Sequence, residues 1–190
     1  MISIQAYDRH VEQIFEVLQR VAGALSGAGI PYRVVGGLAA YLHISERDPL
    51  AARMTRDIDL AVRRADLESI REAVRPLGLE LRHAAGVDML VDAAQPRARS
   101  AVHLVFVGEK VRADYPEAVP EFSPATETPE GILLSPVADL VRMKLTSFRL
   151  KDKVHLQDLD SVGLITADIE SRLPGVLLER LRELRAAGEE

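Results

Sequence analysis

Two runs decide how this chain reads: Tyr32-Arg-Val-Val-Gly-Gly-Leu-Ala-Ala-Tyr-Leu-His43 and, after a polar loop, Arg53-Met-Thr-Arg-Asp-Ile-Asp-Leu-Ala-Val62. They spell strand, glycine turn, helix, loop and second strand. Side chains alternate faces along a strand, so Asp57 and Asp59 point one way while Ile58 and Leu60 point into a core. Two carboxylates on one face repel unless a cation lies between them, and an oxygen-only pair suits Mg²⁺. Gly36 and Gly37 follow the apolar Val34-Val35 and open a helix, which lets backbone amides approach a phosphate at the positive helix end. A phosphate site beside a metal site predicts a nucleotide pocket.

Gly-Gly followed, after a helix and loop, by Asp-hydrophobic-Asp resembles the signature of the nucleotidyltransferase superfamily, the fold of DNA polymerase beta and kanamycin nucleotidyltransferase. The form Arg53-x-Thr55-x-Asp57-Ile-Asp59-Leu is similar to its AbiEii-type branch, which includes toxins of toxin–antitoxin systems. The resemblance spans roughly residues 30 to 160. It implies an α+β fold, a mixed β-sheet flanked by helices. It also implies Mg²⁺-dependent transfer of a nucleoside monophosphate from a nucleoside triphosphate to an acceptor. In that scheme Asp57 and Asp59 hold the metal, Gly36 and Gly37 contact the triphosphate, and Arg53 and Thr55 shape the pocket mouth.

Outward from that stretch, Val11, Ile14, Phe15, Leu18, Val21, Ala22 and Leu25 recur at helical spacing. They predict a helix over about residues 7–27, stopped by Gly27 and Gly29. His43, near the end of the helix after Gly37, reads either as approaching the pocket or, as expected here, as a partly exposed helix-end histidine. Asp66 is expected to cap a helix carrying Leu67, Ile70, Val74 and Leu77, ended by Pro76 and Gly78. Strands are expected at Leu79–Arg82, Val87–Val91 and Ala101–Val107, with a turn at Gly86 and a connection containing Pro96. Residues 110–130, broken by Pro116, Pro120, Pro124 and Pro129, read either as a lid or acceptor-contacting loop or as chain wrapping the surface.

Ser135-Pro136 predicts a helix start, with serine at the cap and proline in the first turn. Its apolar stripe is Val137, Leu140, Val141, Leu145 and Phe148, and Lys144 falls inside it. A lysine there needs a carboxylate, a phosphate or a path to water. Because the pocket needs a cation for a triphosphate, Lys144 is expected to fill that role. The run Arg149-Leu-Lys151-Asp152-Lys-Val-His155-Leu-Gln-Asp158 resembles the AbiEii-type pattern of lysine, Arg-x-x-Lys-Asp and a further acid. The resemblance carries Lys151 and Asp152 onto the Lys-Asp pair and Asp158 onto the last acid; the alternative is a solvated, salt-bridged helix start. Many members of the superfamily place a third carboxylate on a neighbouring strand. Here the polar residue of that strand is His103, read either as a proton acceptor or metal ligand, or as a histidine hydrogen-bonded within the core.

A chain of 190 residues, 47% hydrophobic and 28% charged, suits one domain burying about two-thirds of its unfolded surface. We expect a nucleotidyltransferase core over residues 1–134 and a C-terminal helical segment over 135–190 packed on it. The net charge of −5 argues against a protein that simply coats nucleic acid. The absence of cysteine excludes disulfides and thiolate metal sites. There is no signal-like start and no apolar run near the roughly 20 residues a membrane span needs, so a cytoplasmic protein without membrane association is expected. The expected partners are a nucleoside triphosphate, an RNA or protein acceptor and, for a toxin, an antitoxin protein. The competing expectation is a catalytically inactive module of the same fold that binds nucleotide or a partner.

Overall fold

The computed structural model describes residues 4–55, 57–94 and 101–188, with side chains from residue 11 onward. The first helix, α1 (Ile4–Gly27), buries Ile14, Leu18, Val21, Ala22 and Leu25 along one face. It ends where Gly29 takes a left-handed φ of 67° and Ile30 N–H reaches back to the Leu25 carbonyl at 2.9 Å, a Schellman closure. Then come β1 (Arg33–Val35), α2 (Gly36–Arg47) and β2 (Ile58–Val62). A 3₁₀ turn leads into α3 (Leu67–Val74), and a second one into β3 (Leu79–Ala84). β4 (Val87–Asp92) and β5 (Val102–Phe106) complete the strands expected from the sequence. The β3–β4 hairpin turns on Ala85 and Gly86, both at positive φ, the geometry that matches strand twist. Pro96 lies outside the described residues.

The seven strands, including the short β6 (Thr126–Glu127) and β7 (Leu133–Leu134), order as β3-β4-β5-β2-β1-β7-β6. β2 runs antiparallel to β1 and parallel to β5, so the sheet is mixed. The remaining helices are α4 (Val137–Ser147), α5 (Leu150–Ser161), α6 (Ala167–Ser171) and α7 (Gly175–Ala186). Ile58, Leu60, Val62, Val102 and Leu104 from the strands share one buried cluster with Leu18, Leu140, Leu156 and Leu181 from the helices. Each such leucine, fully buried, contributes roughly 1.5–3 kcal/mol. On the opposite face a smaller cluster joins Val35, Ala61 and Val119 to Phe122 and Met143. The proline-broken segment therefore crosses part of that second face. It closes on itself through Gly108 N–H to the Val119 carbonyl, 2.8 Å, and Val119 N–H to the Glu109 carbonyl, 2.9 Å.

Three local expectations are corrected. Asp66 makes no side-chain cap, because its backbone belongs to the 3₁₀ turn rather than to the extended conformation a capping side chain needs. Ser135 does not cap α4 either, since Pro136 takes that position and Ser135 is buried beneath it. Its N–H donates to the Val34 carbonyl at 2.9 Å, which ties the residue to the sheet. His43 is buried, not partly exposed, and its Nε2 hydrogen-bonds the Ser135 carbonyl at 2.8 Å. No helix among the described residues is long and apolar enough to cross a membrane.

Candidate active site

β2 builds the centre of the site. Ile58, Leu60 and Val62 bury their side chains under the helices, which turns Asp57 and Asp59 to the other side of the sheet. There they line a cleft of about 740 Å³, with Gly36, His103, Lys144, Arg149, Lys151 and Asp152 on its walls. The segment after β5 closes another wall through Lys110, Arg112 and Tyr115.

Gly36 is forced by its surroundings. It has φ 71°, and a methyl there would lie 2.8 Å from Asp59 Cγ and closer still to Oδ2. Strand register explains the approach, since Val35 pairs with Asp59 across β1 and β2. Gly37 answers to space alone: a methyl would meet Thr55 Oγ1 at 2.9 Å and His155 Cε1 at 3.2 Å. Val35, at the cap position of α2, gives its first turn no side-chain hydrogen bond. The first-turn amides are therefore free of a side-chain cap.

The two carboxylates are each faced by a basic side chain. Asp59 pairs in register with His103 across β2 and β5, and their side chains approach to 3.4 Å. The hydrogen bond to Asp59 raises His103 above the ordinary imidazole range against the opposing effect of burial. Asp57 meets Lys151 Nζ at 3.7 Å, both side chains being about half exposed. Asp57 N–H also donates to Thr55 Oγ1 at 3.4 Å, so Thr55 supports the strand start.

Lys144 is only 3% exposed, inside the apolar stripe where its spacing put it. Burial pushes its ammonium down to about 8, opposed by the charges of Asp152 and Asp59. Its Nζ bonds His155 Nδ1 at 2.8 Å and lies 3.8 Å from Asp152. Asp152, also buried, accepts from Ser147 Oγ and Arg149 Nε, both at 2.7 Å. The turn presenting this group is held from α7, where Arg180 donates to the Leu145 and Thr146 carbonyls at 2.7 Å.

Asp158 and Arg53 stand apart. They form an ion pair at 3.0 Å that ties the loop before β2 to α5, and neither is among the residues lining the cleft. His155 was not singled out from sequence. Its signal is that Asp152, His155 and Asp158 recur every third residue beside buried Leu156 and Leu159, which places polar groups on the packed face of α5.

The cleft offers two carboxylates, oxygen donors of the kind Mg²⁺ takes, and no cluster of three or more candidate ligands among the described residues. Asp57 and Asp59 share one side of β2, both reach the cleft, and the missing side chain at Gly36 leaves Asp59 its room.

No protein-family model matches the chain, and no curated protein matches it. Solved structures do. ANT(2″)-Ia in complex with adenylyl-2″-tobramycin superposes with a TM-score of 0.53 at 14% identity, covering 93% of this chain and 96% of that one. An antigenic nucleotidyltransferase-like protein from Paracoccidioides brasiliensis gives 0.51 at 18% identity, over 93% and 87% of the two chains. The Megavirus polyadenylate synthase gives 0.50 at 15% identity, over 83% of this chain and 32% of that one. With the mixed seven-stranded sheet and the Gly-Gly and Asp-x-Asp placement, these likenesses identify the fold of this chain as that of the nucleotidyltransferases.

Proposed function

We propose that this chain is a Mg²⁺-dependent nucleotidyltransferase that moves a nucleoside monophosphate from a nucleoside triphosphate to an acceptor. One observation carries the proposal: Asp57 and Asp59 project together into a cleft that also holds Gly36 and the buried Lys144. In the reaction a bond forms between the acceptor oxygen and the α-phosphorus while the bond to pyrophosphate breaks. Asp57 and Asp59 would hold Mg²⁺, which when bound supplies positive charge at the phosphoryl oxygens. The chain's own part is to bind and orient. Amides at the start of α2 receive phosphate oxygens, and Lys144, a fixed cation in a partly dry wall, opposes the charge on the leaving group. Lys151, exposed beside Asp57, is a second cation within reach of the cleft.

The test is to incubate the protein with each α-labelled nucleoside triphosphate, Mg²⁺ and total RNA or cell lysate. Transferred label that disappears in Asp59→Asn supports the proposal, and its absence under every condition opposes it. We assign a toxin role on the AbiEii-like Arg53-x-Thr55-x-Asp57-x-Asp59 pattern. Growth arrest on expression of the wild type but not of Asp59→Asn is the expected result.

A second reading, an inactive module that binds nucleotide or a partner, is favoured by one observation. His103 stands beside Asp59 where a third carboxylate is expected, and Lys151 stands beside Asp57. Nucleotide binding without transfer would select it.

A further inference from the structure

Lys144 carries a charge into the protein interior, so something must fix where its ammonium sits. Asp152 does not do so. It is 3.8 Å away and is already occupied by Ser147 and Arg149. Among the described residues, the side-chain hydrogen bond that Nζ makes is to His155 Nδ1, at 2.8 Å. An ammonium only donates, so Nδ1 is the acceptor and the ring proton sits on Nε2. Burial, aided by the Lys144 charge, pushes His155 down to about 4, which keeps the ring neutral and in that tautomer. The same ring places Cε1 3.2 Å from where a Gly37 methyl would stand. The imidazole is therefore wedged between Lys144 and the first turn of α2.

Resting on the reading of Lys144 as a triphosphate contact, we propose that His155 is a positioning residue. Its Nδ1 anchors the Lys144 ammonium beside the first turn of α2, so that lysine and helix amides meet one triphosphate chain. Without the acceptor, the Lys144 ammonium would turn toward Asp152, 3.8 Å away, and lose its fixed place beside the first turn of α2. With only packing at stake, any residue of similar volume would serve.

The experiment measures inorganic tripolyphosphate binding in Mg²⁺ buffer by calorimetry for the wild type, Lys144→Met, His155→Leu, His155→Asn and the Lys144→Met/His155→Leu double variant. Lys144→Met should lose about tenfold in affinity, as for one charge-assisted contact. His155→Leu should lose as much, and the double variant no more than Lys144→Met, because the two act through one ammonium. His155→Asn, whose Oδ1 can stand in for Nδ1, should recover most of the affinity. Weak Lys144→Met with wild-type binding by His155→Leu would overturn the positioning role and leave the site reading standing. Wild-type binding by Lys144→Met would overturn both. Nitrogen-15 spectra of the wild-type protein should show the Nε2–H tautomer, and an Nδ1–H tautomer would overturn the proposal whether or not His155→Leu folds.

Discussion

Replacing Gly36 by alanine tests the geometry of the site with a single methyl group. Two costs follow from the structure. An L-residue at φ 71° pays about 1–2 kcal/mol for the left-handed conformation. The methyl would lie 3.0 Å from Asp59 Cβ and 2.8 Å from its Cγ, so the carboxylate must leave its rotamer. That movement costs about 0.5–1.5 kcal/mol, and loosening the partly buried contact with His103 adds about 1 kcal/mol or less. The total, roughly 1.5–4.5 kcal/mol, corresponds to a fall in Tm of roughly 3–18 °C for a chain of this size. Displacing Asp59 should also abolish Mg²⁺-dependent nucleotide binding. Gly23→Ala is the control: it lies in α1 with nothing within 4 Å of a new methyl, so helix propensity should raise stability by up to about 1 kcal/mol. Thermal melts and calorimetric titration with nucleotide read both effects. A Gly36→Ala protein that melts with the wild type and still binds nucleotide with Mg²⁺ would refute the close approach of Gly36 and Asp59.

Asp57→Asn should change stability by no more than about 1 kcal/mol, since its pairing with Lys151 is exposed, yet it should lose Mg²⁺-dependent binding in a metal titration. Asp59→Asn should behave alike in binding. Lys144, held near 8 in the folded chain against 10.5 unfolded, should lose its charge as pH rises. Tripolyphosphate affinity should therefore decline above about pH 8 in the wild type, and Lys144→Met should show no such decline. The sign for stability is opposite: between about 8 and 10.5 the unfolded chain binds more protons at this lysine, so its contribution to stability improves with pH, measurable as a difference in melts from Lys144→Met. His103→Asp should lower Tm without metal, by adding a third carboxylate beside Asp59, and Mg²⁺ should restore it by mass action. We expect slower label transfer from that variant than from the wild type; gain of transfer by the variant alone would favour the inactive-module reading.

What the sequence could reveal followed from periodicity and local backbone demands. Asp57-Ile-Asp59-Leu alternates, so the face of each side chain was legible, and Gly36 announced the turn into a helix, made in the structure at φ 71°. Lys144 was legible because three- and four-residue spacing put it on a packed face whatever it packs against. Contacts between distant segments left no such mark. His43 meets Ser135 across 92 residues and Arg53 meets Asp158 across 105, and neither partner carries a pattern that names the other. His155 touches Gly37 only because α5 crosses the start of α2. Its local run reads equally well as an exposed, charged helix start.

The arrangement separates stability from chemistry along a single strand. Helices cover one face of the sheet, so Ile58, Leu60 and Val62 carry the fold, and truncating Leu60 to alanine would cost about 2–5 kcal/mol. Asp57 and Asp59 alternate with them on the other side, where the cleft opens and changing a charge disturbs little packing. Two carboxylates side by side are not left unbalanced, because His103 and Lys151 lean on them from β5 and α5. The Lys151 contact is long and exposed, worth at most about 1 kcal/mol, so a cation competing for Asp57 displaces it at small cost. The His103 contact is more enclosed, and strand register holds the two backbones side by side. On the proposed reading of Asp57 as a metal ligand, metal uptake would free Lys151 to face the triphosphate.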